Sequence, residues 1–374
     1  MSHTDASLSA DSNRRAPIRV LSVDDSPLFR KVLIGLLGKE QDIELVGCAV
    51  DPYDARDLML ARQVDVMTLD LELPRMAGLT FLKLVMERKP LPVIVLSGFA
   101  PMGSQKAIEA LIAGAFSVIE KPDRNLTLKD FGEKLVGEIK HAAAAPLRRR
   151  RPFLLNTYLN PPASTRTPAP IFDPRKIIAL GASTGGTQAL EEVLMKLPAH
   201  LPCIVVVQHI PAGFSASFAE RLNQNCEMEV REARDGDYVR PGLALIAPGD
   251  QHMEVQWVRD RYRVSLSAGP AVEHQRPSVD VLFRSLAQCA GHHTLAVLLT
   301  GMGCDGAAGM KELHDLHAHT LVQDADSSVV YGMARKAVEL SAVDHIVPLE
   351  NIASEIIKTL DKRSNPLTST SHVR

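Results

Sequence analysis

Polar side chains follow four short apolar runs in the first third of this 374-residue chain, and they are Asp24, Asp25, Asp70, Ser97 and Lys121. A lone aspartate at such a position is usually a helix cap, but three carboxylates at one edge repel one another unless a hard cation lies between them. Mg²⁺ prefers such oxygen ligands, and an aspartate beside it can act as a nucleophile toward a phosphoryl group. We expect Lys121 to offset the developing charge and Ser97 to hydrogen-bond the new phosphate.

A serine, a histidine and an aspartate occupy comparable positions in the second half of the chain. Ser183 lies in the turn GASTGG after KIIAL, His209 ends CIVVVQH, and Asp305 follows TLAVLLT in GMGCDG. A serine hydroxyl is a weak nucleophile that needs a base and an orienting acid, and the three residues supply these roles in that order. Taken singly, the histidine and the aspartate are more often core or capping residues, so the prediction depends on their joint placement. The amides of Thr184 and Met302 are candidates for an oxyanion hole.

Other chemistries fit these segments less well. GASTGG matches neither the Walker A pattern nor GxGxxG, so a nucleotide site has weak support. A thiol mechanism at Cys304 lacks a paired histidine at a second strand end. The spacing of His314, His317 and His319 does not hold all three on one helix face, which favours a surface cluster over a metal site.

Strand and helix candidates alternate along both halves of the chain. Five of each follow one another from Ile18 to His141, and a second alternation begins at Arg175 and ends in a helix from Glu350. Such alternation is typical of doubly wound parallel sheets, in which functional residues gather at the carboxyl ends of the strands. We therefore predict an α/β fold with two doubly wound parallel-sheet domains joined by a linker.

A change in composition separates the two domains. Residues 142–172 contain AAAAP, RRRRP and NPPASTRTPAP, a pattern typical of a flexible tether. The predicted organisation is a disordered lead-in at 1–16, a first domain at 17–141, a linker at 142–172, a second domain at 173–362 and a disordered tail at 363–374. We interpret the arginine run as solvated linker charge, with contact to an acidic surface as the alternative.

The composition disfavours several classes of function. Lys plus Arg is 42 and Asp plus Glu is 44, a net charge of −2, so no field draws the whole chain to nucleic acid or anionic lipid. The five cysteines lack a CxxC pair, which disfavours a disulfide framework or zinc site and fits a reducing cytoplasm. No apolar run reaches about 18 residues and the N-terminus lacks an apolar signal core, so we expect neither membrane insertion nor export.

Residues 18–141 resemble the receiver domains of two-component response regulators in DDS, in Asp70, in Ser97 and in the pair Lys121–Pro122. The resemblance implies a flavodoxin-like fold, phosphorylation of Asp70 by a histidine kinase, and Mg²⁺ held by Asp70 with the two aspartates of DDS. It assigns Ser97 and Lys121 to the switch and implies a cis bond before Pro122.

The second domain closely resembles the catalytic domain of chemotaxis protein-glutamate methylesterases in GASTGG, VVQHIPAGFSASFAERL, IAPGDQHM, EHQRPSVDVLF, LLTGMGCDGAAGMKEL and QDADSSVVYGM. Together the two resemblances cover nearly the whole chain outside the tail and the linker. They imply a serine hydrolase with the triad Ser183, His209 and Asp305 and no cofactor at the esterase site. Such an enzyme demethylates glutamate methyl esters of methyl-accepting chemoreceptors, releases methanol and deamidates receptor glutamines.

We therefore expect a cytoplasmic, monomeric enzyme of sensory adaptation whose partners are chemoreceptors and the histidine kinase of their pathway. The unphosphorylated first domain is expected to cover the active-site edge, and phosphorylation to favour an open form. The alternative is a response regulator whose second domain only binds DNA or a partner protein. The second domain is strand-rich and lacks the basic helical module of DNA-binding outputs. A degenerate enzyme that acts as a scaffold is a third possibility, which the intact serine, histidine and aspartate disfavour.

Overall fold

The computed structural model of the protein describes residues 16–98, 101–122, 127–144, 172–173 and 175–361. Residues 1–15 of the predicted lead-in, most of the predicted linker and the whole predicted tail lie outside these ranges. Among the described helices, none combines the length and the apolar character that crossing a bilayer requires.

The first domain is a five-stranded parallel sheet in the order β2-β1-β3-β4-β5. Helices α1 and α5 pack on one face, and α2, α3 and α4 pack on the other. This is the predicted doubly wound arrangement. The elements are β1 (Ile18–Val23), α1 (Pro27–Leu37), β2 (Ile43–Ala49), α2 (Pro52–Ala61), β3 (Val66–Asp70), α3 (Gly78–Arg88), β4 (Val93–Ser97), α4 (Pro101–Ile112), β5 (Ser117–Glu120) and α5 (Leu128–Ala144).

Local sequence explains where two of these helices begin and where one ends. The Ser26 hydroxyl accepts a hydrogen bond from the amide of Phe29 at the start of α1, and Asp51 caps α2 in the same way. Helix α5 continues to Ala144, so it includes the first residues of the predicted linker. Alanine has the highest helix propensity, and Ala142 is buried, which accounts for the longer helix.

The second domain is a seven-stranded parallel sheet in the order β14-β13-β12-β6-β7-β9-β8. Helices α6, α7 and α11 pack on one face, and α8, α9 and α10 pack on the other. The elements are β6 (Ile177–Ala182), α6 (Gly186–Leu194), β7 (Cys203–Gln208), α7 (Phe214–Asn225), β8 (Glu229–Glu232), β9 (Leu243–Ile246), β10 (His252–Val258), β11 (Arg261–Ser267), α8 (Val279–Cys289), β12 (Thr294–Leu298), α9 (Ala307–Asp315), β13 (His319–Gln323), α10 (Met333–Glu339), β14 (His345–Val347) and α11 (Leu349–Leu360).

Strands β10 and β11 form an antiparallel hairpin outside the parallel sheet, which the sequence analysis did not predict. Its turn is made by Arg259 and Asp260, both in the left-handed region with φ of 49° and 67°. This is the backbone of a tight hairpin turn, but it lacks the usual Asn-Gly or Asp-Gly signal. The alternating pattern of Met253, Val255 and Val264 buries one face of the hairpin against α8.

The two domains contact one another through α4. Helix α4 packs against α6 and α7, and one apolar cluster continues from the α4 face of the first sheet to the α6 and α7 face of the second. The side-chain amide of Gln188 in α6 donates hydrogen bonds to the carbonyl oxygens of Leu111 and Ile112, at 2.9 and 2.5 Å. Val330 of the second domain also packs against the core of the first.

Candidate phosphorylation and catalytic sites

The predicted acidic cluster lies together at the carboxyl edge of the first sheet. One carboxylate oxygen from each of Asp24, Asp25 and Asp70 lies within 4.8 Å of the others. The Lys121 ammonium bridges two of them, at 2.8 Å from Asp24 and 2.6 Å from Asp70. Asp24 and Asp70 are buried whereas Asp25 is exposed, so the cluster is open to solvent on one side.

The charges in this cluster depend on one another. Burial raises the pKa of Asp24 above its ordinary value, even though the hydrogen bond from Lys121 acts in the opposite direction. Burial alone would lower the pKa of Lys121, but its hydrogen bonds to Asp24 and Asp70 outweigh burial and raise that pKa. Three carboxylates facing one ammonium leave excess negative charge, and their oxygen donors match the ligands that Mg²⁺ prefers. The residues present therefore fit the predicted ion.

The loops around Asp70 fix its carboxylate. The amide of Glu72 donates to Asp70 at 2.9 Å, and α3 begins so close that a Cβ at Gly78 would lie 2.2 Å from the Asp70 carbonyl oxygen. Ser97 ends β4, and its carbonyl accepts from the Lys121 amide at 2.8 Å. The structure therefore brings all five predicted residues of this site to one edge.

The expected cis bond before Pro122 is wrong, because the cis peptide bond among the described residues is Arg276–Pro277. The trans form of an X-Pro bond is favoured by about 0.5 to 1 kcal/mol. Lys121 already reaches two carboxylates with this trans bond, so its contacts do not require the cis form.

In the second domain, the predicted serine, histidine and aspartate follow β6, β7 and β12, which are neighbouring strands. The amide of His209 donates to the carbonyl of Ala182 at 3.1 Å, and the amide of Ser183 donates to the carbonyl of Thr300 at 3.0 Å. These bonds extend the sheet pairing beyond the strand ends. They hold the Ser183 turn between the turns that carry His209 and Asp305.

His209 and Asp305 are in direct contact. The Nε2 atom of His209 lies 2.7 Å from Oδ2 of Asp305, and both side chains are buried, with 6% and 2% exposed. Nδ1 of His209 is also buried, and no partner for it is found within the described part of the chain. Asp305 therefore orients the ring through Nε2, and Nδ1 is the nitrogen left to act on a reacting group.

The Asp305 carboxylate accepts four hydrogen bonds in all. Besides His209, its donors are the amides of Val279 and Asp280 and the hydroxyl of Ser278, at 2.7, 3.0 and 2.7 Å. Burial acts to raise the pKa of Asp305, but the hydrogen bonds from His209, Ser278 and Asp280 outweigh it and keep the pKa below its ordinary value. Asp305 is therefore held in its ionised, carboxylate form.

Glycines allow the turn at Ser183. Gly185 has a φ of 77°, and a Cβ at Gly186 would lie 2.1 Å from the side-chain oxygen of Gln208. Gln208 in turn donates to the carbonyl of Ser183 at 2.8 Å, a contact that the sequence analysis missed. The sequence signal that could have identified Gln208 is its position directly before His209.

The two predicted oxyanion amides lie in turns at this edge. Thr184 follows Ser183, and Met302 follows Gly301, whose Cβ position would be 2.8 Å from the Cβ of Ser183. In the described ranges neither amide donates a hydrogen bond, so both remain available to a reacting oxygen. Their role stays a prediction.

Two of the alternative groups considered from the sequence, Cys304 and His314, each contact an acidic side chain. The Cys304 thiol donates to Glu273, and this hydrogen bond together with burial raises the pKa of Cys304 to about 11, far from a reactive thiolate. His314 faces Asp344 at 3.4 Å. Across the described ranges, the acidic cluster of the first domain is the one group of three or more side chains with metal-ligand spacing.

Comparison with known proteins agrees with this two-domain organisation. The family model described as CheB methylesterase matches residues 178–356, and the response regulator receiver domain model matches residues 20–130. A protein-glutamate methylesterase/protein-glutamine glutaminase 2 of Pseudomonas aeruginosa is 46% identical over 351 residues, covering 93% of this chain and 99% of that protein. A protein-glutamate methylesterase/protein-glutamine glutaminase of Shigella flexneri is 42% identical, and the match covers 92% of this chain and 97% of that protein. The catalytic domain of Thermotoga maritima CheB methylesterase is 36% identical, covers 49% of this chain and 98% of its own, and has a TM-score of 0.48.

Proposed function

Because this chain belongs to the CheB methylesterase family and carries a receiver domain at its N-terminus, we propose that it is a protein-glutamate methylesterase regulated by phosphorylation. Its substrates are glutamate methyl esters of methyl-accepting chemoreceptors in the cytoplasm, and it also deamidates receptor glutamines. The observation that carries the proposal is the 2.7 Å contact of His209 with Asp305, beside the turn of Ser183.

The first half of the reaction forms an acyl-enzyme. Ser183 Oγ transfers its proton to Nδ1 of His209 as it attacks the ester carbonyl, and Asp305 stabilises the resulting imidazolium. The amides of Thr184 and Met302 donate to the oxyanion. The bond to the methoxy oxygen then breaks, and His209 returns the proton so that methanol leaves.

The second half regenerates the enzyme. His209 takes a proton from water as the water oxygen attacks the acyl carbon. The bond to Ser183 Oγ breaks, that oxygen recovers a proton, and the receptor is left with a glutamate carboxylate. A glutamine side chain follows the same sequence with ammonia as the leaving group.

The first domain supplies the regulation. Asp70 accepts a phosphoryl group from the histidine kinase of the pathway, and Ser97 and Lys121 hydrogen-bond the new phosphate oxygens. Asp24, Asp25 and Asp70 would hold Mg²⁺, which neutralises negative charge on the phosphoryl group when bound. The contact of α4 with α6 and α7 gives this domain direct access to the helices that follow Ser183 and His209.

Methanol release from a methylated chemoreceptor fragment tests the proposal. We would compare the full-length chain with Ser183→Ala, in Mg²⁺ and with or without acetyl phosphate as a small phosphodonor. The matched control is Ser354→Ala, which changes an exposed serine of α11. We expect activity to be lost in Ser183→Ala alone and stimulated by the phosphodonor in the other two. Activity that persists in Ser183→Ala would contradict the assignment of Ser183 as the nucleophile. A wild-type rate that is the same with and without acetyl phosphate would contradict regulation by phosphorylation.

A further inference from the structure

An acidic side chain beside the start of each of the helices α8 and α9 accepts hydrogen bonds from the first-turn amides of the other helix. Asp305 lies just before α9, but its carboxylate accepts from the first amides of α8, those of Val279 and Asp280. Asp280 lies in the first turn of α8, but its carboxylate accepts from the amide of Gly309 in α9 at 2.7 Å. Each helix N-terminus is thus stabilised by a carboxylate from the other segment.

Ser278 also binds the Asp305 carboxylate. Its hydroxyl donates to Oδ1 of Asp305 at 2.7 Å, while His209 faces Oδ2 of the same carboxylate. Ser278 is fully buried and is also the N-cap residue of α8, where its oxygen accepts from the amide of Val281 at 3.3 Å. The serine hydroxyl and the histidine ring therefore share the negative charge of one buried carboxylate.

Close packing joins the two segments into one unit. A Cβ at Gly306 would lie 2.6 Å from Cγ1 of Val279, and a Cβ at Gly181 would lie 2.4 Å from the same atom. A Cβ at Gly309 would lie 3.2 Å from Oδ1 of Asp280. The start of α8 and the turn of Asp305 consequently have little room to move separately.

These contacts lead to an assignment that rests on the proposed esterase function. We propose that Ser278 is a positioning residue for the reaction, because its hydroxyl fixes the Asp305 carboxylate and limits how strongly that carboxylate holds the protonated ring of His209. Asp280 supports this arrangement by holding α9 against α8. Without the hydroxyl, more of the negative charge remains on Oδ2, so the imidazolium is stabilised and releases its proton to the leaving group less readily.

Other charged groups interact with the Asp305 carboxylate, directly for Asp280 and Cys304 and through these two for Arg284 and Glu273. Asp280 and Arg284 lie on α8, with 3.7 Å between their charged atoms, and Glu273 and Cys304 lie in the adjoining loops. All of these groups remain in a Ser278→Ala variant. A change in pH dependence between the wild type and this variant therefore reports on the serine hydroxyl.

The test compares full-length wild type with Ser278→Ala, Ser278→Thr and Ser285→Ala. Ser285 is a matched control, since it is a buried serine of the same helix whose hydroxyl donates to Leu282 and accepts from the amide of Val255. Two quantities are measured: kcat and KM for methanol release across pH, and the NMR titration of the His209 ring, assigned with His209→Gln. The NMR titration needs no substrate.

For Ser278→Ala we expect kcat to fall about tenfold with KM unchanged, as for loss of one hydrogen bond to a charged group. We also expect the acid limb of kcat/KM and the midpoint of the ring titration to move to higher pH. Ser278→Thr keeps the hydroxyl and should return the acid limb and the ring midpoint to their wild-type pH. Ser285→Ala should shift neither the acid limb nor the ring midpoint.

An unmoved acid limb and ring midpoint in Ser278→Ala would overturn the assignment. The same shift in Ser285→Ala would also overturn it, because it would reveal a general effect of weakening α8. If wild type releases no methanol, the proposed function fails. The ring midpoint of Ser278→Ala then still decides whether the hydroxyl controls the charge of Asp305.

Discussion

His209 meets Asp305 through Nε2, at 2.7 Å, which leaves its buried Nδ1 without a hydrogen-bond partner among the described residues. In the chymotrypsin arrangement the acid holds Nδ1 and the base is Nε2, so the proposed mechanism gives the two ring nitrogens of His209 the opposite roles. Nδ1 is the nitrogen nearer to the main chain, and the His209 amide is bonded to Ala182 beside Ser183. The backbone pairing of β6 and β7 therefore positions His209, the proposed base, beside the turn of Ser183.

Asp305→Asn should lower kcat by about 10³- to 10⁴-fold. An asparagine amide can donate to Nε2, which would place the ring proton on Nδ1, the nitrogen that must accept the Ser183 proton. Methanol release under saturating substrate measures the effect. The control is Asp344→Asn, a carboxylate of the β13–β14 region that faces His314. A loss of less than about tenfold in Asp305→Asn would contradict the assigned role.

Gln188→Ala should raise the basal rate of the unphosphorylated enzyme. The substitution removes two hydrogen bonds between α6 and the end of α4, a loss that corresponds to about a fivefold change in the domain equilibrium. Methanol release without a phosphodonor gives the basal rate, and the rate with acetyl phosphate should stay near that of wild type. Gln224→Ala, at an exposed position of α7, is the control. An unchanged basal rate would show that this contact does not restrain the enzyme.

Asp25→Ala should weaken the dependence of phosphorylation on Mg²⁺. Asp25 is the exposed member of the acidic cluster, so its removal takes away a proposed metal ligand with little effect on packing. The rate of Asp70 phosphorylation should require at least about tenfold more Mg²⁺. Asp42→Ala removes an exposed carboxylate that pairs with Lys140 and should leave this requirement unchanged. A wild-type Mg²⁺ dependence in Asp25→Ala would exclude this residue from the metal site.

Gly301→Ala should reduce kcat by about 100-fold through displacement of the nucleophile. The new Cβ would lie 2.8 Å from the Cβ of Ser183 and 2.2 Å from Sδ of Met333, so the serine turn has to shift. Gly303→Asn is the control in the same turn, because Gly303 has open space around it and asparagine is among the residues that a positive φ such as its 86° strains least. Equal losses in both variants would point to the conformation of the turn rather than to contact with Ser183.

The sequence predicted the placement of both sites because parallel strands end at one edge. The residues after β1, β3, β4 and β5 meet in the first domain, and those after β6, β7 and β12 meet in the second. Strand alternation alone located Asp70 and Asp305, and the predicted doubly wound fold is confirmed. The roles of the individual residues remain predictions.

The sequence did not predict the contacts between segments that are far apart along the chain. Ser278 is 27 residues from Asp305, and locally it looks like any helix N-cap. Gln188 meets the end of α4 across 77 residues, which no local pattern encodes. The hairpin of β10 and β11 was missed since its turn lacks a glycine signal, and residues 142–144 continue α5 because alanine favours helix.

The placement of α4 limits the physical distance over which a phosphorylation signal has to be relayed. This helix follows the strand that ends at Ser97, and its last turn is bonded to Gln188 in the helix after Ser183. Twelve residues at 1.5 Å each make it about 18 Å long. One helix thus reaches from the strand that ends at Ser97 to the helix that follows Ser183, so a tilt of α4 would move the second domain directly, without successive side-chain rearrangements in between.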